Sequence, residues 1–193
     1  MTKYLFLLLP ISLLAFFGLK SFSHTSEKQT VAFTFTADDL QPTATQKKVE
    51  SMVAEILSSY HFRKVPLNDS LSSKILDNYI KELDFNKMNF TAQDVEGFDK
   101  FRFELDDQLK AGDLTAAYQI YNVYRKRAKE RFTFVTSLLN KPMDFKTDEI
   151  YTPDREKASW AKSSTDLDDI WRKAVKSNLI DWKISGKADF SIS

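Results

Sequence analysis

The stretch "DFNKMNFTAQDVE", Asp84 to Glu96, holds the residues of this chain that most resemble a metal-binding loop. Counted from Asp84, the third position is Asn86, an oxygen donor of the kind a calcium loop uses. The sixth is Asn89, where the sharp turn demands glycine, and the twelfth is Val95, where a bidentate glutamate belongs. That donor set is too poor for calcium, so Asp84, Asn86 and Asn89 are expected to cap and turn the chain between helices. Zinc lacks a ligand set as well, because the only histidines are His24 and His61 and there is no cysteine. His61, in "YHF", reads as a helix-end cation or a packed ring.

Covalent catalysis fares no better. Serines and lysines are plentiful, so counting alone does not exclude a Ser–Lys pair. What is missing is the glycine-lined backbone such a pair works beside. The four glycines, Gly18, Gly97, Gly112 and Gly186, are never neighbours, which also argues against a phosphate-cradling loop. No cofactor is expected. "YRKRAKER", Tyr124 to Arg131, is the strongest basic run, but on a helix it spreads round the cylinder. Ala128 falls on the apolar stripe, and Lys126, Arg127 and Glu130 are expected in solvent. Arg125 and Arg131 flank the stripe and are expected to pair with Asp106 or Asp107. Nothing in this pattern calls for a nucleic-acid partner.

Helices must position these residues, because the apolar spacing is helical almost throughout. Thr43 or Thr45 caps a first helix with Val49, Met52, Val53, Ile56, Leu57 and Tyr60 on one side. Asn68 or Asp69 caps a second, striped by Leu71, Ile75, Tyr79 with Ile80, and Leu83. Thr91 and Asp94 form a capping box for a third, carrying Val95, Phe98, Phe101 or Arg102, Leu105 and Leu109 and ending at Gly112. Asp113 opens a long fourth with Leu114, Tyr118, Tyr121, Ala128, Phe132, Val135 and Leu139. The last begins near Ser164 with Leu167, Ile170, Trp171, Ala174, Val175 and Leu179. Beyond Pro10, every proline (42, 66, 142 and 153) lies between helices. The expected fold is a single all-α domain of about five helices.

The N-terminus reads as an address. Lys3, an apolar run from Tyr4 to Leu19 and the polar "KSFSHTSEKQT" describe a secretory signal peptide at 1–23, cleaved after Ser23. A retained membrane anchor is the alternative. Residues 24–42, with the alternating "VAFTFTA", are expected as an extended tether or one edge strand. Removing Lys3 and Lys20 with the leader leaves 26 basic side chains against 27 acidic, so no long-range attraction to nucleic acid or anionic lipid remains. The membrane enters only through the leader. An exported chain with no cysteine has no disulfide framework, and its stability must come from a packed core.

Several phrases in order carry a family resemblance: "HFRKVPLNDSLSSKILDNYIKELDFNKMNFTAQDVEGF", "FELDDQLKAGDLTAAYQIYNVYRKR", "KPMDF", "DREKASW" and "LDDIWRKAVKSNLI". Over residues 43 to 187 the chain resembles the N-terminal region of tail-specific proteases, also called carboxy-terminal processing peptidases. The resemblance implies a helical region preceding a PDZ-type module and a serine protease core with a Ser/Lys dyad. It implies a periplasmic location, the PDZ and protease domains as partners, and a protein adaptor as a further one. Neither the PDZ module nor the dyad region has a counterpart here, so no catalytic residue carries over and the chain is expected to be inactive alone. It closes with "ADFSIS", and the tail at 188–193 is expected to mark a truncated product. An independent exported interaction module, and an enzyme with an unrecognised site, are the competing readings.

The connection between the last two helices stands apart. Helical periodicity stops at Asn140 and resumes near Ser164, yet this run holds Met143, Phe145, Ile150, Tyr151 and Trp160. A structureless run beyond about 15 residues inside a compact domain needs a reason. One reason is a strap, with Met143, Phe145, Tyr151 and Trp160 tying the loop across the bundle, helped by local ion pairs of Asp154, Arg155 and Lys157. The other is that these aromatics remain exposed to contact a further domain or a partner.

Overall fold

Four of the six α-helices start where a short polar side chain accepts an orphan amide of the first turn. Thr43 caps α1 (Ala44–Tyr60), its Oγ1 accepting from the Gln46 amide at 3.2 Å while Gln46 Oε1 accepts from the Thr43 amide at 2.8 Å. Asn68 caps α2 (Asp69–Leu83) through the Leu71 amide. Thr91 and Asp94 cap each other reciprocally at α3 (Ala92–Phe98), as do Ser163 and Asp166 at α6 (Ser164–Ile184). Between them lie α4 (Leu105–Ala111) and α5 (Thr115–Leu139). The computed structural model describes residues 39–62 and 66–186, all within one compact unit. The leader at 1–23, most of the tether and the tail at 188–193 lie outside the described residues. No described helix is long and apolar enough to cross a membrane.

The domain is all-α, with six α-helices among the described residues. The single helix expected between Thr91 and Gly112 is broken into α3, a 3-10 turn at Asp99–Phe101, and α4. Long-range hydrogen bonds hold the break. Buried Ser72 on α2 accepts the Leu105 amide at 2.9 Å. The Arg102 guanidinium gathers Asp99, Ser73 and Asp77 at 2.7, 2.8 and 2.9 Å. Phe98, Phe101 and Leu105 then close over Leu76 and Ile80 of α2 and Ala116 and Ile120 of α5. Phe90 sits at the centre, fully buried, with Phe98, Tyr124 and Trp160 meeting it edge-on at ring separations of 5.3, 5.9 and 6.3 Å. Such aromatic pairs stabilise by about 0.5–1.5 kcal/mol beyond their area burial.

Tertiary packing departs from the sequence pattern at several points. The α1 stripe faces outward: Val49, Met52, Val53, Ile56, Leu57 and Tyr60 are 45–81% exposed, and the buried residue of α1 is Ala54. Helix α1 packs on α4 at Gly112, where an added Cβ would stand 2.2 Å from Ser51 Oγ and 2.8 Å from the Lys47 carbonyl oxygen. That approach presses the polar, small-residue side of α1 inward. On α5 the buried line is Ala116, Ile120 and Arg131, while Tyr121, Phe132 and Leu139 are exposed. The basic run is solvated only in part: Lys126 is exposed as expected, but other members of the run bridge helices. Arg127 grips Asp94 of α3 through two bonds of 2.9 Å, and Arg131 pairs with Asp168 of α6. Asp106 and Asp107, the expected partners of Arg125 and Arg131, instead share Lys110 at 3.0 Å each.

Candidate functional site

Asp84, at the end of α2, builds the platform on which the long connection rests. Its side chain is buried, and its two oxygens accept the amides of Met88, Asn89 and Phe90 at 2.8 Å each, with the Asn89 Nδ2 at 3.1 Å. A carboxylate is the only short side chain with enough acceptor sites for four donors. The turn it closes passes through Lys87 in the left-handed region at φ 52. It delivers Phe90 to the core and Thr91 to the start of α3. Asp84 and Asn89 therefore cap and turn the chain, and the lone pairs a cation would need are occupied by protein donors.

Thr91 and the following amide then receive the far end of the connection. Thr91 and Ala161 form an isolated parallel bridge, with the Ala92 amide donating to the Ala161 carbonyl at 2.7 Å. Trp160 packs half-buried against the core beside Phe90, and the Lys87 ammonium lies 5.4 Å from its ring centre while donating to the Ala158 carbonyl at 2.6 Å. Lys81 of α2 reaches Glu156 at 2.6 Å, and Trp171 Nε1 of α6 donates to the Met88 carbonyl at 2.6 Å.

The middle of the connection is held to α6 by charge. Lys176, buried, donates to the Thr147 carbonyl at 2.9 Å and to Glu149 at 2.7 Å. Arg172 clamps Glu149 with both terminal nitrogens and also takes Asp169. Hydrogen bonds from Arg172 and Lys176 hold the Glu149 carboxyl down to about 2. Asp169 is likewise lowered, by Lys173 first and Arg172 second. At Asp94, burial pushes the carboxyl up, but the bonds from Arg127 and Thr91 outweigh it and the net direction is down.

Met143 and Tyr151 are half-buried, lining adjacent clefts that share Thr147, Glu149 and Lys176; Phe145, 47% exposed, lines the second cleft with Tyr151. Trp160 belongs to a separate groove with Asp84, Lys87 and Glu156. Arg155 is half-buried, and its Nε meets no hydrogen-bond acceptor. Ile150 is 88% exposed. Five residues singled out from the sequence thus fall in three places along one connection. The ion pairs recorded for the connection run through Glu149 and Glu156, in place of those expected of Asp154, Arg155 and Lys157. The signal for the α6 clamp was present as two cations one turn apart, Arg172 and Lys176, but their partner lies 27 residues from Lys176.

A connection anchored at its middle and far end, an exposed Ile150 and an outward apolar helix are features of a surface that offers contacts. The described lysines with recorded bonds end on carboxylates or carbonyls, and none of those bonds reaches a serine hydroxyl. Among the described residues no group of three or more histidines, cysteines or carboxylates could hold a metal ion.

The tail-specific protease N-terminal domain matches residues 53–193. A tail-specific protease of Haemophilus influenzae (strain ATCC 51907 / DSM 11121 / KW20 / Rd) is 41% identical over 132 residues, covering 68% of this chain. The chain spans about a fifth of that relative, the matched stretch being 19% of its length. Residues 53–193 make up most of the sequence, and the chain belongs to the tail-specific protease N-terminal domain family.

Proposed function

We propose that this chain is the helical, non-catalytic portion of an exported, periplasmic tail-specific protease, acting as a scaffold or docking domain. Its partners in this reading are PDZ-type and Ser/Lys protease domains belonging to the same enzyme, with a protein adaptor as a further one. The observation that carries the reading is the 41% identity to a protease of which the matched stretch is only 19%. A region of that share, built of helices and an anchored connection, suits positioning and substrate access better than bond cleavage. An apolar leader at the N-terminus fits export.

The test uses the purified chain and an unfolded substrate bearing an apolar C-terminus. No turnover is expected from the chain alone, and turnover would overturn the non-catalytic assignment. Added to the relative's protease lacking its own matching region, the chain should bind and raise turnover. An independent exported interaction module is the second reading, favoured by the closed core around Phe90. Failure to bind the protease body in that mixture would favour the module over the scaffold.

A further inference from the structure

Leu40, ahead of α1, is held in a way that a loose chain end does not require. Its amide donates to Asn122 Oδ1 at 2.9 Å and its carbonyl accepts from Asn122 Nδ2 at 3.0 Å, so one side-chain amide of α5 serves both backbone groups of one residue. That is the pairing a neighbouring strand gives an extended residue. Arg125, one turn along α5, donates to the same Oδ1 at 3.4 Å. Two exposed hydrogen bonds contribute little against the entropy of ordering a chain end, so the clamp needs further contacts beside it.

The direction of the chain says where they lie. The Lys47 carbonyl stands against Gly112, before α5 begins, whereas Leu40 stands at Asn122, well inside α5. Read backwards, the chain therefore climbs α5 toward its C-terminus. Continued extended at ~3.3 Å per residue, the stretch from Leu40 back to Phe35 spans about 17 Å, and the stretch of α5 from Asn122 to Phe132 rises about 15 Å. Phe35 thus comes level with Phe132, and Asp38 with the interval between Arg125 and Lys129. An acidic pair, Asp38 and Asp39, meets a basic stretch of helix. The helix also offers apolar surface along that path: Tyr121, Phe132 and Leu139 are 36, 51 and 49% exposed. At about 100° per residue they fall within roughly 20° of one another. In "FTFTADDL" the flanking Thr34 and Thr36 take the side of an extended chain opposite to Phe35.

We propose that the outward side of α5 is a docking surface for this chain's own arm, residues 35–39, with Phe35 seated on Phe132 and Asp38 paired with Arg125 and Lys129. The Leu40–Asn122 clamp is the described end of that contact. The arm is thereby a strap across α5, and at most residues 24–34 remain as spacer between the leader and the helices. The inference stands apart from the protease reading, since it uses only the charges and faces of α5 and the arm.

The experiment follows chymotryptic cleavage after Phe35 in the full chain and in a free peptide of residues 27–42. The full chain is expected to be cut at least about tenfold more slowly, because the docked arm must first open. Asp38→Lys changes no residue of a described helix, and it should recover most of the peptide's rate. Raising salt from about 0.05 to 0.5 M should act in the same direction, since exposed pairs are screened. Position is read from disulfides, as the natural chain has no cysteine. Phe35→Cys with Phe132→Cys should close within one chain, and Phe35→Cys with Phe85→Cys should not. Phe132 and Phe85 are 51 and 47% exposed, so cysteine there leaves the fold intact, and circular dichroism checks it. Cleavage as fast in the parent as in the peptide overturns the proposal, as does protection that neither Asp38→Lys nor salt alters. Equal closure of the two cysteine pairs, or closure of neither, means a free arm and overturns it too. A disulfide formed only between two chains refutes the seat on the chain's own α5.

Discussion

Replacing Asp84 by alanine removes one carboxylate and leaves three backbone amides without their acceptor. The amides of Met88, Asn89 and Phe90 all donate to it at 2.8 Å, and the Phe90 bond is fully buried. A buried donor left unsatisfied costs about 1–3 kcal/mol, and the two partly buried amides recover some of that from water, so the expected loss is about 3–5 kcal/mol. For a folded body of this size, that lowers Tm by roughly 10–20 °C. Asp84→Asn separates charge and acceptor count from side-chain size. Its amide keeps one acceptor oxygen and turns a second donor toward the same amides, so it should fall between parent and alanine. Thermal unfolding followed by circular dichroism, with urea unfolding alongside, reads both variants. A shift under about 3 °C for Asp84→Ala would mean that water serves these amides and that the carboxylate does not build the turn.

Gly112→Ala meets two obstacles, a left-handed φ of +65 and a Cβ pressed to 2.8 Å from the Lys47 carbonyl oxygen. Beyond the roughly 1–2 kcal/mol of backbone strain, hydrogen exchange should rise across α1 and not across α5. Uniform protection in the variant would deny the close approach of α1 and α4. Trp160→Ala removes a half-buried ring from beside Phe90, at about 2–3 kcal/mol, below the value for a fully buried tryptophan. Trypsin should then nick between Lys146 and Lys162, and unchanged protection would count against anchoring by Trp160. The Glu149 carboxyl falls from its ordinary 4.5 to about 2 in the fold. Because the folded value is the lower one, its contribution is complete above 4.5 and is lost as pH falls toward 2. Proteolytic or exchange protection of the connection should weaken over that window in the parent, and Glu149→Gln should flatten the profile. Parallel profiles would assign the window to other carboxylates, with Asp94 and Asp169 the first to test.

Much of the molecule was legible in the sequence because its signals are local. The capping boxes at Thr91 and Asp94, and the stop at Gly112, involve donors and acceptors within a few residues. The same holds for Asp84, whose partners all lie within six positions. Helix existence and the family resemblance followed from patterns that no tertiary contact has to decide. The break between α3 and α4 did not, because it depends on Ser72 and Asp77, which lie on another helix. Nor did the Glu149 clamp, or the pairing of Arg127 with Asp94 across 33 residues.

The sharpest division falls on α1. Its sequence by itself determined that a helix forms there and that one side of it is apolar. Only the tertiary structure decided that this side points outward, because Gly112 admits the backbone of α1 so closely that small and polar residues must face it. Periodicity measures how apolar side chains are distributed round an axis; which side is turned inward depends on the shape of the neighbour, and no single helix encodes that.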